Sequence, residues 1–437
     1  MLQSWYNHGT PDLRAEELHQ GVPFPTEARR DPLTGIIVGY YQAKDGAYFS
    51  YHFWFYSLSA LPAYAVLRAL NQDTGHALPF TNMLWLCAAL FVIARTTTLT
   101  AWQRWAFGAL ATLSPVLWYL DWTGPEVQSW AGVTIALAFL SQRRYPLAAL
   151  FAALAAWQNP PLLPLVGTIA LLALTTHTRR TIFATWAVTA IAPLPSVFTL
   201  LYFGTPNLIA TVGMADPHLA SASRTWSLFT DLNQGMLPFV PLLLVLTIVA
   251  VTIALVRRQW VGLLIAATLL AIVLLSESTT NWNSGCFGMM RYTIWMIPLL
   301  AWLVATHLPT RFWSRAGIII AAALQLTILF VPGMGSINIH QLPLARLALT
   351  YTPMIYNPEP EIFIERQAGT EDGAVLPVAF ATADGVVTKI LTDAASIRQL
   401  PVLYRVDASY FQQVVAAHRE ETGMFYLTPP VGAIYTR

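Results

Sequence analysis

The chain has 437 residues, 56 % of them hydrophobic and only 11 % charged, with a mean hydropathy of +0.52 and a net charge of +2. A soluble domain ordinarily carries about 25 % charged residues, and a near-neutral balance offers no electrostatic footprint for nucleic acid. Two cysteines, Cys87 and Cys286, make neither a disulfide framework nor a metal-ligand pattern, and the two lysines (Lys44, Lys389) lie outside any G-x-x-x-x-G-K, which argues against ATP-driven transport.

The first fifty residues are mostly polar and do not read as a cleavable signal. After them, apolar segments predict helices over about 51–70, 79–94, 105–120, 124–141, 145–157, 160–175, 182–203, 237–256, 259–276, 292–306 and 316–332. Blocks such as 237–256, 259–276 and 316–332 hold no ionisable side chain except near their ends, so they read as membrane spans. Core helices of a soluble protein would show polar faces at helical spacing, and these blocks do not.

Segment 51–70 has two readings. With His52, the aromatic run Phe53 to Tyr56, Pro62 and Arg68, it suits an interfacial amphipathic helix better than a span. Segments 145–157 and 160–175, parted by Asn159-Pro160-Pro161, are either two short spans or a re-entrant pair.

Charge orders the loops. Five of them hold only basic residues: Arg95 with Arg104, Arg143 with Arg144, Arg179 with Arg180, Arg257 with Arg258, and Arg311 with Arg315. The alternating loops hold Asp121 and Glu126, then Asp216, Arg224 and Asp231, then Glu277 and Arg291. Ten arginines against two fits the positive-inside rule, so the basic loops are predicted to be cytoplasmic. Residue 78 and everything after 332 then lie outside, Cys286 included.

The tail, residues 333–437, changes character: ten acids outnumber seven bases and no block is long enough to span. Val375–Thr382 and Val386–Thr392 flank Ala383-Asp384-Gly385 and predict a hairpin. Asp407 or Ser409 could cap a helix over 410–420, ahead of a strand at 424–428.

Ionisable groups at a membrane boundary are costly, so each is a candidate for chemistry. The acidic turn Asp121-Trp122-Thr123-Gly124-Pro125-Glu126 puts two carboxylates at the outer face, where either could act as a general base or hold sugar hydroxyls. Glu126 at a helix start is also a plain helix cap. In the outer loop after Glu277, Arg291 beside Tyr292 could pair bidentately with a lipid phosphate, with Trp282 as an aromatic face; the bland alternative is a snorkelling arginine. Arg224 is a second basic candidate. Asp45 and His52, among Tyr48, Tyr51 and Trp54, suit a sugar platform or an ion site, or a simple interfacial aromatic belt. No H-E-x-x-H or paired His/Cys spacing marks a metal site, so the sequence names no cofactor and a divalent metal would have no ligand motif.

These pieces resemble the GT-C superfamily of polytopic glycosyltransferases, which includes the protein O-mannosyltransferases and the bacterial lipid A aminoarabinose transferase. Ser4 to Arg14 looks like part of their first outer loop, Gly46–Leu70 is similar to their juxtamembrane helix, and Thr123-Gly124-Pro125-Glu126 looks like the acidic turn that opens a later span. Leu150–Pro164 resembles their short helix pair, and Arg291-Tyr292 with Pro298 their R-Y…P segment. The resemblance implies an inverting transfer from a polyprenyl phosphate at the outer face, with an Asp as base and basic groups stabilising the leaving phosphate.

Some members have an E-K-P-P-like stretch where this chain has Ser50-Tyr51-His52-Phe53, and a Lys near the position of Asn159. The family's catalytic Asp follows a first transmembrane helix that no segment here matches. The expectation is therefore an N-terminally truncated chain.

The whole reading is an all-α polytopic membrane protein of about ten transmembrane helices plus an interfacial helix, with a small α/β extracytoplasmic C-terminal domain. Its expected divisions are an extracytoplasmic first loop with the juxtamembrane helix (1–78), a GT-C-like transmembrane domain (79–332) and the tail (333–437). It is expected in the bacterial inner membrane, with membrane lipids and a polyprenyl-phosphate sugar as partners, an acceptor glycan, lipid or protein, and no nucleic acid. Asp121, Glu126 and Asp45 are its candidate catalytic residues; His52, Arg291, Tyr292, Arg224, Asn159 and Trp282 are its candidate binding residues. A flippase of lipid-linked sugars, an O-antigen ligase or polymerase, or a membrane scaffold with a sensing tail would share much of this pattern.

Overall fold

Helix occurs in each of the apolar segments in the computed structural model, which describes residues 1–13, 39–176, 178–282, 286–336, 339–370, 375–418 and 423–436. Arg14, the acids Glu16, Glu17, Glu27 and Asp31, and the end of the expected 410–420 helix lie outside the described residues. Among those described, three helices are long and apolar enough to cross a membrane: Thr74–Ala94, Arg179–Phe203 and Phe312–Leu329. Tyr145–Gln158, Pro160–Ala173, Pro241–Val256 and Trp260–Ser276 are apolar but shorter.

Proline sets several of these limits, because its ring clashes with the preceding turn and it lacks an N–H. The 105–120 segment stops as an α-helix at Thr112 and continues as the 3-10 turn Pro115–Tyr119. The helix of the 292–306 segment starts afresh as Ile297–His307, with Pro298 in its first turn. Segment 51–70 divides into Phe55–Ser59 and Leu61–Ala69, the second again carrying proline in its first turn.

Two compact units interleave along the chain. The first comprises Met1–Ala220, Leu242–Thr280 and Ile294–Leu326; the second comprises Ser221–Pro241, Asn281–Thr293 and Thr327–Arg437. All ten arginines of the five basic loops fall in the first unit. Two loop segments that the charge pattern places on the side of the tail, 221–241 and 281–293, share the second unit with it.

At the centre of the first unit, the Glu126–Ser141 and Ile297–His307 helices are buried around almost their whole circumference. Small residues permit that. Tyr145–Gln158 buries Ala148, Ala149, Ala152, Ala153, Ala155 and Ala156. A Cβ on Gly132 would stand 2.9 Å from the Ala155 Cβ and 3.1 Å from the Phe151 carbonyl oxygen, so glycine sets how closely these two helices approach.

In the second unit the tail forms the expected hairpin. Val378–Ala381 pairs antiparallel with Val387–Asp393, which pairs in turn with Met424–Leu427. Gly385 takes φ +82° in the turn, a conformation that favours glycine. Asp407 caps Ala408–Ala417 by accepting the N–H groups of Ser409 and Tyr410 at 3.0 and 2.9 Å. Strand Tyr404–Val406 pairs separately with Ile434–Thr436. The central strand is buried on both faces: Val387 and Ile390 pack with Leu400, Phe425 and Ile434, and Leu391 with Leu349, Phe363, Val378 and Phe380. Cys286 is buried in this unit.

Lys389 is the exception in that strand. It is 1 % exposed, and its ammonium donates to the Pro353 carbonyl and to Thr428 Oγ1, 5.0 Å from the Tyr426 ring centroid. Burial pulls its pKa from 10.5 down to about 8. Between those values the unfolded chain holds a proton that the folded chain has lost, so stability rises with pH across that window and the cost of burying the charge is fully present below it. Melts of the purified protein at increasing pH are expected to show this rise in wild type and to lose it in Lys389→Met. A wild-type profile as flat as the variant's would mean that Lys389 keeps its proton throughout.

Candidate functional site

The acidic turn is built by a residue remote from it in sequence. Asn82, fully buried in the Ala77–Ala94 helix, donates to the carbonyls of Trp122 at 2.9 Å and of Tyr119 and Leu120 at 3.3 Å each. Its Oδ1 accepts the Tyr56 hydroxyl at 2.9 Å. The Tyr56 backbone N–H in turn donates to Gln158 Oε1 at 2.9 Å. Next to Gln158, Asn159 donates its amide to Ser129 Oγ at 2.6 Å. Ser129 follows Glu126 by three residues and so lies on the same helix face. The structure thus brings Glu126 and Asn159 together with Tyr56, Asn82, Gln158 and Ser129.

Glu126 is only 3 % exposed and is the first residue of its helix, where unpaired backbone N–H groups favour a carboxylate. A Cβ on Gly124 would overlap both Glu126 Oε2 and Trp122 Nε1. Glycine is what lets the carboxylate and the indole close over the turn. Tyr56 keeps its proton: burial raises its pKa and the nearby Glu126 charge raises it further. Gln128, two residues into the helix, is 1 % exposed, and its amide has no hydrogen-bond partner among the described residues. A buried group of that kind costs about 1–3 kcal/mol. Asp121 is exposed at the start of the turn.

The first unit holds two further candidates, Asp45 and His52. Asp45 is exposed at the tip of the Tyr40–Gln42/Tyr48–Ser50 hairpin, where its Oδ1 accepts the Ala47 N–H at 3.1 Å. Among the described residues no hydrogen bond or ion pair joins Asp45 to the Glu126 network. His52 is exposed, with its ring 4.1 Å from that of Tyr51, and lines a small crevice with Phe49, Trp54, Phe198 and Phe203.

In the second unit, Arg224 is buried, donates Nε to Glu359 at 2.9 Å and lies 4.6 Å from the Trp282 ring centroid. The Trp282 backbone N–H donates to Glu361 at 2.6 Å. Arg224 and Trp282 therefore come together, with Glu359 as the arginine's counter-ion. Arg291 donates to the Tyr292 hydroxyl at 3.3 Å, its guanidinium 5.2 Å from the same ring's centroid.

Asp231 was legible only as a loop acid. It is buried, accepts the N–H groups of Asn233 and Gln234 at 2.8 Å each, and accepts the Tyr356 hydroxyl at 3.1 Å. Burial pushes its pKa above the ordinary carboxylate value, against the pull of those hydrogen bonds. Among the described residues no three His, Cys, Asp or Glu side chains converge to hold a metal ion. Compared with family models, curated proteins and solved structures, the chain matches none.

Proposed function

We propose that the chain is an integral membrane glycosyltransferase of about ten transmembrane helices that moves a sugar from a polyprenyl-phosphate donor to an acceptor at the outer face. The observation that carries this reading is Glu126: a buried carboxylate held over Gly124, in the turn whose Thr123-Gly124-Pro125-Glu126 resembles that of the GT-C superfamily. In the proposed reaction the carboxylate takes the proton of the acceptor hydroxyl as that oxygen attacks the anomeric carbon. The bond from that carbon to the phosphate oxygen breaks on the opposite side, so configuration inverts and polyprenyl phosphate leaves. In this reading Asn159, bonded to Ser129 on the Glu126 face of the helix, holds a sugar hydroxyl.

The orientation is supported by the charge pattern, with the basic loops cytoplasmic and the tail outside. Membranes incubated with a labelled polyprenyl-phosphate sugar test the reading. A transferase consumes the donor, a flippase only relocates it, and a scaffold does neither.

Arg291 is proposed to hold the donor phosphate, since it is the one base in its outer loop. Arg291→Ala is expected to weaken donor binding by roughly 1.5–3 kcal/mol, the scale of a charge-assisted hydrogen bond. Arg291→Lys should recover part of that affinity but not the bidentate geometry. Unchanged donor affinity in the alanine variant would leave Arg291 as an interfacial arginine stacked on Tyr292.

A further inference from the structure

One helix of the second unit has an uncovered apolar side. In Pro343–Tyr351, Ala345 and Leu349 are fully buried, Leu349 against Phe363 and Phe380. Away from that core, Leu344, Leu347 and Tyr351 are 51, 53 and 77 % exposed. At 3.6 residues per turn these three fall within an arc of about 60°. Met354 and Ile355, in the turn that follows, are 81 and 83 % exposed. Apolar residues scattered singly over a surface need no explanation, but five large ones within twelve positions do.

What covers them follows from how the unit is tied to the rest of the chain. Beginning at Thr327, its third segment includes the last turn of Phe312–Leu329, and Phe330 at that helix end is 78 % exposed. Its first segment ends at Pro241, where the apolar Pro241–Val256 helix starts, and its second runs into the Arg291–Ile294 turn ahead of Ile297–His307. If these helices cross the membrane, three connections hold the unit at the surface where they end. A short amphipathic helix there, with a tyrosine on its apolar side, has the composition of an interfacial segment.

We propose that Leu344, Leu347, Tyr351, Met354 and Ile355 form a membrane-docking face, seated at the headgroup–acyl boundary of the leaflet in which Phe312–Leu329 ends. This rests on the membrane reading and not on the sugar chemistry. The test uses the full chain in phospholipid nanodiscs with Cys87→Ser, leaving Cys286, which is buried. Spin labels are placed singly at Leu347→Cys, at Asp384→Cys in the exposed hairpin turn, and at Ile320→Cys, 57 % exposed on Phe312–Leu329.

Molecular oxygen concentrates in hydrocarbon and a nickel chelate in water. The label at 347 is expected to meet oxygen several-fold more often than nickel, and the label at 384 the reverse. Nickel access at 347 equal to that at 384 would overturn the proposal. So would exclusion of both reagents from 347, which would mean that protein covers the face. Nickel access at 320 would instead show that the membrane reading itself had failed. With 320 in lipid and 347 in water, the docking face alone is wrong.

Discussion

Glu126→Gln is expected to slow sugar transfer by at least about 10²-fold, the scale on which general acid–base help is lost. Glutamine matches the volume of glutamate and can still occupy the space over Gly124, so the change removes the charge and the proton-accepting oxygen while sparing the packing. Asp121→Asn alters an exposed carboxylate of the same turn and separates the two acids by their effects. Gly124→Ala approaches the same centre without touching the acid. A methyl there would overlap Glu126 Oε2 and Trp122 Nε1, so the carboxylate must move. If Glu126 is the base, both Glu126→Gln and Gly124→Ala lower turnover more than donor affinity. Full turnover in Glu126→Gln at a normal protein level would reduce the turn to a helix start.

What the sequence could and could not show follows from the range of each interaction. Apolar blocks announced the helices because hydropathy is a local property. The Asp384-Gly385 hairpin and the Asp407 cap were legible for the same reason, since turn and cap chemistry act over two to four residues. The length of each helix was less legible: proline at 115 and 298 divides segments whose hydropathy runs straight on.

The network around Glu126 was hidden because its bonds are long-range. Asn82 reaches Trp122 across 40 residues, and Tyr56 reaches Gln158 across 102. A signal did exist: Asn82 is a lone amide inside an apolar helix, and polar side chains in such a place are bonded to something. Charge patterning found Arg224 but not its partner. Read alone, a basic residue in a predicted outer loop suggests an external anion, whereas Glu359 lies 135 residues away.

That pair supports the largest stability effect expected in the molecule. Arg224 and Glu359 have side chains only 8 and 10 % exposed and meet at 2.9 Å. Removing one member of a buried ion pair leaves the other charge desolvated and uncompensated, which costs about 3–5 kcal/mol, whereas replacing both by apolar residues is often close to neutral. Arg224→Ala also takes the guanidinium off the face of Trp282, a contact worth about 0.5–2 kcal/mol. Equilibrium unfolding in detergent should therefore show Arg224→Ala and Glu359→Gln each strongly destabilised. The double variant Arg224→Met/Glu359→Leu should recover much of the loss, so the two single costs will not add. Donor affinity separates this role from phosphate binding. If Arg224 serves the fold, the double variant binds donor as wild type does. If Arg224→Ala unfolds like wild type yet loses donor affinity, the arginine serves the donor, and the pairing with Glu359 contributes little to stability.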